Sequence, residues 1–270
     1  MPARRSRTRR QRQRKRSRRS RRSRSYNQRG GGGPTWAILQ YDNRELPESL
    51  KQALEINRRY AKKHGYAHFF FTDNYFLPPY WIKVHLLQRL LDAKDPQTDQ
   101  PLFKGVAFLD TDAVFVDHDQ SLDSFVGAKR PFVAGPDITY GKVPSDAPFN
   151  AGVIIVKNTE EVKGLLRDWM AEYKPRDWFL RDGKWSTPSR WAGPAYEQGS
   201  FVEKILPKFK DSVIDIVEAP ILQSMYDAGA KYETGGGNFK KDGIFIMHFS
   251  AQKKEGMLSQ FLQAYKAANP

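Results

Sequence analysis

Short, unbroken apolar runs separated by stretches of helical periodicity limit this chain more than any other feature of its sequence. Trp36-Ala37-Ile38-Leu39, residues 68–72, Val106-Ala107-Phe108-Leu109, Phe132-Val133-Ala134 and residues 152–156, 213–217 and 244–249 read as strands. Between the first two, Leu50, Ala53, Leu54, Tyr60 and Ala61 recur at helical spacing, with Pro47 at the start and Gly65 as the stop. Trp81, Val84, Leu87 and Leu91 make a second stripe within residues 80–93. Further helices are predicted over 160–173 and 196–206. Strands apolar on both faces need cover on both faces, and the alternation with helices supplies it. The expected fold class is α/β, a mainly parallel sheet flanked by helices in one domain. Ligands of such sheets bind beyond the carboxyl ends of the strands.

The charge is not spread over that body. Of 45 Lys and Arg in the 270 residues, fifteen lie in residues 1–29, where none of the 30 acidic residues falls. The formal charge of +15 therefore belongs to the first 29 residues, and the rest is neutral. Residues 1–29, rich in Arg and Ser, have almost nothing to bury and are expected to be disordered. Residues 30–34 read as a Gly-rich linker and 35–270 as the folded domain. No run approaches the ~18 apolar residues of a membrane span, and no apolar segment follows the basic start as in a secretory signal. With no cysteine, disulfides, thiolate nucleophiles and thiolate metal sites are excluded. A metal would have to be held by oxygen and imidazole.

Four motifs fall at or beside predicted strand ends. Asp110-Thr111-Asp112 follows the apolar run 106–109, where two carboxylates can share a hard divalent cation, Mg²⁺ or Mn²⁺. Met247-His248-Phe249-Ser250 ends the last strand and offers one imidazole, with Lys253 and Lys254 close behind to offset the charge of a diphosphate. Phe149-Asn150-Ala151-Gly152 leads into a strand, where Asn150 suits a sugar hydroxyl or the metal site and Asn-Ala-Gly also suits a tight turn. Glu197-Gln198 opens a helix, placed to address an acceptor or a developing positive charge, or simply to favour the helix dipole.

In this order the motifs resemble the GT-A-fold nucleotide-sugar glycosyltransferases, most closely glycosyltransferase family 34, the α-galactosyl-, mannosyl- and xylosyltransferases. The carrying pieces are Trp81-Ile82-Lys83, the run Phe108 to Phe115 around Asp-Thr-Asp, Phe149-Asn150-Ala151-Gly152-Val153, Glu197-Gln198 and Met247-His248-Phe249. The resemblance implies a Rossmann-like GT-A domain that transfers a hexosyl or pentosyl group from a UDP- or GDP-sugar to a glycan or other hydroxyl acceptor, with retention. It implies that Asp110, Asp112 and His248 ligate Mn²⁺ or Mg²⁺. Lys83 and one of Lys253 or Lys254 would face the diphosphate, and Gln198 would lie near the anomeric carbon beside Glu197 and Asn150. Nucleotide contacts are expected from the ends of the first two strands, at Asp42, Asn43 and Asp73, with Thr111. Where such enzymes commonly place a glycine soon after the His-Phe pair, this chain has Ser250-Ala251.

Trp169, Trp178, Trp185 and Trp191 crowd a Pro/Arg/Gly-rich stretch that reads either as an acceptor platform or as packing for a long loop. The Arg-rich segment should bind nucleic acid or another polyanion by counter-ion release, without reading sequence. Two other functions fit parts of the pattern: a nucleic-acid packaging protein with an inactive transferase-like body, and a metal-dependent nucleotidyltransferase. The missing anchor favours a soluble protein in a cytosolic, microbial or virus-encoded setting over the Golgi setting of eukaryotic relatives.

Overall fold

The computed structural model describes residues 34–137, 148–250 and 254–270. The Arg-rich segment, residues 30–33 of the linker, and Lys253 lie outside the described residues; Lys254 is described only as the first residue of a helix. The chain runs β1 (Thr35–Tyr41), α1 (Glu48–His64), β2 (Ala67–Phe71), α2 (Pro79–Leu91), β3 (Phe103–Leu109), β4 (Ala113–Phe115), α3 (Leu122–Val126), β5 (Phe132–Ala134), β6 (Val153–Lys157) and α4 (Glu160–Ala171). It continues through β7 (Phe179–Arg181), β8 (Lys184–Ser186), α5 (Glu197–Ser200), a π turn at Phe201–Ile205, α6 (Leu206–Phe209), β9 (Ile214–Ile216), α7 (Ala219–Gln223), β10 (Glu233–Gly235), β11 (Asn238–Lys240), β12 (Ile246–His248) and α8 (Lys254–Ala268).

The main sheet has the order β2-β1-β3-β6-β5-β9. Its pairings are parallel except those of β6, which runs against both β3 and β5. The expected mainly parallel sheet is present, and the reversed strand is an addition to it. An apolar run such as Val153-Ile154-Ile155-Val156 carries no sign of its direction. The reversal brings the start of β6 to the edge where β3 ends.

Successive residues of the central strands enter opposite cores. Ala37, Leu39, Val106 and Phe108 join α2 and α4 through Trp81, Leu87, Leu165 and Trp169. Trp36, Ile38, Ala107 and Leu109 join Tyr60, Phe115 and Phe245 on the other face. Period-two side-chain geometry makes these runs apolar throughout. Gly105 is needed where the Trp36 ring crosses β3, since a Cβ there would stand 2.2 Å from the ring.

Helix α1 starts after Pro47 and ends at Gly65, which takes the left-handed conformation (φ 68°) while Tyr66 N–H closes onto Ala61 O at 2.8 Å. The single helix predicted over 196–206 is broken. Pro207 has no N–H and crowds the carbonyl four residues back, so the turn before it widens to π geometry. The last strand stays out of the main sheet: β12 pairs antiparallel with β4, a strand missed in the sequence because only three residues follow the aspartates before the chain turns.

Two histidines are folded into this body. His68 on β2 places Nε2 3.0 Å from Gln40 Oε1, and the fully buried His118 places Nε2 3.2 Å from Phe115 O. Burial lowers both from the ordinary 6.5 to about 4. The unfolded chain accepts these protons at a pH where the folded chain does not, so their contribution is full above about pH 6.5 and drains away as pH falls to about 4. Urea unfolding across that range should show a loss of up to roughly 3 kcal/mol per histidine. Replacing either by glutamine should remove about one proton from the slope; an unchanged slope would refute the assignment.

Candidate metal-binding cleft

The Asp-x-Asp segment is a turn between two strands. Asp110 N–H extends the β3–β6 ladder to Gly152 O at 2.7 Å, and Ala113 N–H closes back on Asp110 O at 3.0 Å. Two buried amides hold this turn from beneath. Asn57 on α1 donates to Ala113 O (2.8 Å) and accepts from Phe115 N–H (3.0 Å), while Gln40 on β1 donates to Asp110 O (3.3 Å). Asn57 also donates to Gln40 Oε1 at 3.2 Å. Neither amide was singled out in the sequence. The available signal was a polar residue inside an apolar pattern: Asn57 continues the stripe Leu50, Ala53, Leu54, and Gln40 ends an apolar strand.

Strand β12 delivers His248 to this turn, with Phe249 N–H on Asp112 O at 3.0 Å. Nε2 lies 3.5 Å from Asp112 Oδ1 and 3.9 Å from Asp110 Oδ2, and one ligand atom from each residue falls within 4.8 Å of the others. These three residues are predicted in sequence as a ligand set and the structure brings them together from positions 110, 112 and 248. Two carboxylates and an imidazole form a donor set for a hard or borderline divalent ion. Gly152 lets the imidazole and the Asp110 carboxylate come this close, since a Cβ there would lie 2.1 Å from His248 Cε1 and 2.9 Å from Asp110 Oδ2. The residues fit such an ion on this ground: three donor atoms lie within 4.8 Å of one another, and the chain omits a side chain where His248 meets Asp110.

Lys83 on α2 enters from below. Its ammonium is buried and reaches Ala151 O at 3.0 Å, Asp110 Oδ1 at 3.2 Å and Glu197 Oε1 at 3.3 Å. Burial works to discharge it, but the two carboxylates outweigh that and hold it above the ordinary lysine range. Burial pushes Glu197 up and the nearby Asp110 charge adds to it, so Lys83 offsets only part of the rise. The sequence reading had Lys83 face a diphosphate; here its charge is spent on Asp110 and Glu197 at the floor of the cleft.

A second group lies along the start of β6. Gln198 accepts from Ala151 N–H (3.1 Å) and donates to Asp137 Oδ2 (3.1 Å), and Asn150 donates to Asp137 Oδ1 (2.9 Å) while accepting from Gly152 N–H (2.8 Å). Asp137, just beyond β5, was missed because nothing local marks it. At the far wall Asp42 takes both Nε (2.8 Å) and Nη2 (2.6 Å) of Arg44 and the Thr111 hydroxyl (3.1 Å). Burial would raise the Asp42 carboxyl, but Arg44 and Thr111 hold it below the ordinary range. Asp73 is exposed and is not among the residues lining the cleft.

Together these residues line a cleft of about 680 Å³ at the carboxyl end of β3. Of the four tryptophans, Trp169 and Trp178 are buried, Trp185 is half-buried on β8, and Trp191 lines the cleft. If Gly152 gives the His248 imidazole its place beside the carboxylates, Gly152→Ala should displace the ring and weaken Mn²⁺ binding by more than about ten-fold, read by calorimetry, with the fold intact by circular dichroism. Undiminished affinity would place the ion elsewhere.

No family model and no curated protein matches the chain. Among solved structures, a glycosyltransferase involved in the glycosylation of the major capsid of PBCV-1 overlays with a TM-score of 0.58 at 14% identity, covering 85% of this chain and 100% of that one. The glycosyltransferase GlyE in Streptococcus pneumoniae (TM-score 0.39, 14% identity, 87% of this chain and 64% of that one) overlays more loosely. So does the galactosyltransferase LgtC in complex with donor and acceptor sugar analogues (TM-score 0.40, 10% identity, 87% and 95%). Identity this low speaks of architecture, and in architecture the likeness read from the motifs holds: the chain has the GT-A glycosyltransferase fold.

Proposed function

We propose that the chain is a metal-dependent glycosyltransferase that moves a sugar from a nucleoside-diphosphate sugar to a hydroxyl of a glycan acceptor, with retention. The observation that carries this reading is the convergence of Asp110, Asp112 and His248 against Gly152, in the cleft of a fold shared with a solved glycosyltransferase. These three residues would hold Mn²⁺ or Mg²⁺, and a bound ion supplies Lewis-acid stabilisation of the diphosphate leaving group.

The surrounding side chains have separate tasks in this reading. Lys83 keeps Asp110 oriented. Gln198 and Asn150, each fixed at both ends of its amide, present rigid polar groups to the transferred sugar. Asp42, Thr111 and Arg44 form the wall for the nucleotide. Glu197, buried and tied to Lys83, is badly placed to receive the acceptor proton. That supports retention, in which the departing phosphate takes the proton on the same face. Anomeric NMR of the product decides the point, an inverted product ending the claim.

Trp191 gives the acceptor side its character. It is 71% exposed, stands edge-on to Tyr80 (5.3 Å between rings), and precedes Ala192 in the left-handed region (φ 52°). Its turn sits tightly on α5, where a Cβ on Gly199 would lie 2.1 Å from Gly193 O. Backbone strain and close packing thus hold an exposed indole over the cleft. The Arg-rich residues 1–29 are proposed to bind a polyanion apart from this chemistry.

With a panel of nucleotide sugars and Mn²⁺, Asp112→Ala should lower turnover by about 10²–10³-fold; no metal-dependent turnover of any donor by the wild type would sink the proposal. Trp191→Ala should raise KM for a sugar acceptor about ten-fold and leave donor hydrolysis unchanged. A loss of nucleotide affinity instead would assign Trp191 to the donor.

A further inference from the structure

We infer that Gln223, on α7, is the positioning residue of the His248 imidazole: its side-chain carbonyl accepts the Nδ1 proton and so turns the Nε2 lone pair toward Asp110 and Asp112. The inference rests on the metal reading above. Gln223 Oε1 lies 2.6 Å from His248 Nδ1, and both residues are buried to 2% exposure.

A neutral imidazole carries one proton, and its place decides whether the ring can ligate. With two carboxylates 3.5 and 3.9 Å from Nε2, electrostatics alone would draw the proton to that nitrogen and close it to a metal. An acceptor on the opposite nitrogen reverses the preference, and the Gln223 carbonyl is that acceptor.

Three observations show that the contact is built into the fold. The end of α7 is stitched to β12 by Phe245 N–H on Ile221 O and His248 N–H on Ser224 O, both at 2.9 Å. Gly135 makes room for the glutamine, since a Cβ there would stand 2.8 Å from Gln223 Cγ. The Gln223 amide nitrogen is buried without a hydrogen-bond partner among the described residues. A leucine or methionine would fill this place beside the apolar Leu222 without that penalty. The one half of the amide that is satisfied is the half that meets the imidazole.

The test compares Mn²⁺ binding, by calorimetry and by EPR of free Mn²⁺, in wild type, Gln223→Leu and Gln223→Glu. The leucine variant should bind Mn²⁺ about 10–100-fold more weakly, and the glutamate variant, which restores an acceptor for Nδ1–H, should recover to within a few-fold. Equal affinity of the folded leucine variant and the wild type would overturn the inference. Should the leucine variant fail to fold, ¹⁵N NMR of the wild-type histidines at about pH 8 decides it, with the His248 signal assigned by its loss in His248→Gln. A proton on Nδ1 is the expected result, and a proton on Nε2 overturns it. Failure of the metal reading itself looks different: the wild type would bind no Mn²⁺ at all.

Discussion

A single buried ammonium ties the cleft together. Lys83 reaches Asp110 at the end of β3, Ala151 O at the start of β6 and Glu197 at the start of α5, so one cation links three segments at a single point. Burying charge is costly, and removing one partner of such a group leaves the others uncompensated. The arrangement is therefore a poor source of stability and a strong source of specificity. Asp110, 37% exposed at its side chain, is the group that passes this order on to the open cleft.

The reversed strand makes that convergence possible. In an all-parallel sheet the start of β6 would lie at the opposite edge from the end of β3. Running antiparallel, β6 sets Val153 opposite Leu109 and leaves Asn150, Ala151 and Gly152 beside Asp110. The small β4–β12 pair does the same for His248, placing it opposite Ala113. Asp110, Gly152 and His248 are brought together by strand pairing, and their side chains then need little freedom to find one another.

Much of this was legible in the sequence for identifiable reasons. Uninterrupted apolar runs announced strands covered on both faces, and an apolar run ending in Asp-x-Asp announced where to look. Strand direction was not legible in the apolar residues themselves, so the role of β6 was not foreseen. The supporting amides Gln40, Asn57 and Gln223 were also missed. Each sits inside an apolar pattern and acts on residues distant in sequence, Asn57 on Ala113 and Phe115, Gln223 on His248. A polar residue in such a pattern marks an obligation to find a partner, and the pattern cannot say which one. Lys83 was found by its resemblance to a motif, but its burial beneath Asp110 is a product of packing.

The missing side chain at Gly152 carries a consequence for how such a domain can change. Strand register is strongly specified where the faces of a sheet are buried, because a slip of one residue moves every side chain to the other face. Here a shift of β6 by one residue would bring Ala151 or Val153 into the space between the imidazole and Asp110. The pairing of two central strands and the close approach of His248 to Asp110 are thus one specification written twice. An insertion or deletion near residue 152 would therefore disturb the sheet and the cleft at the same time.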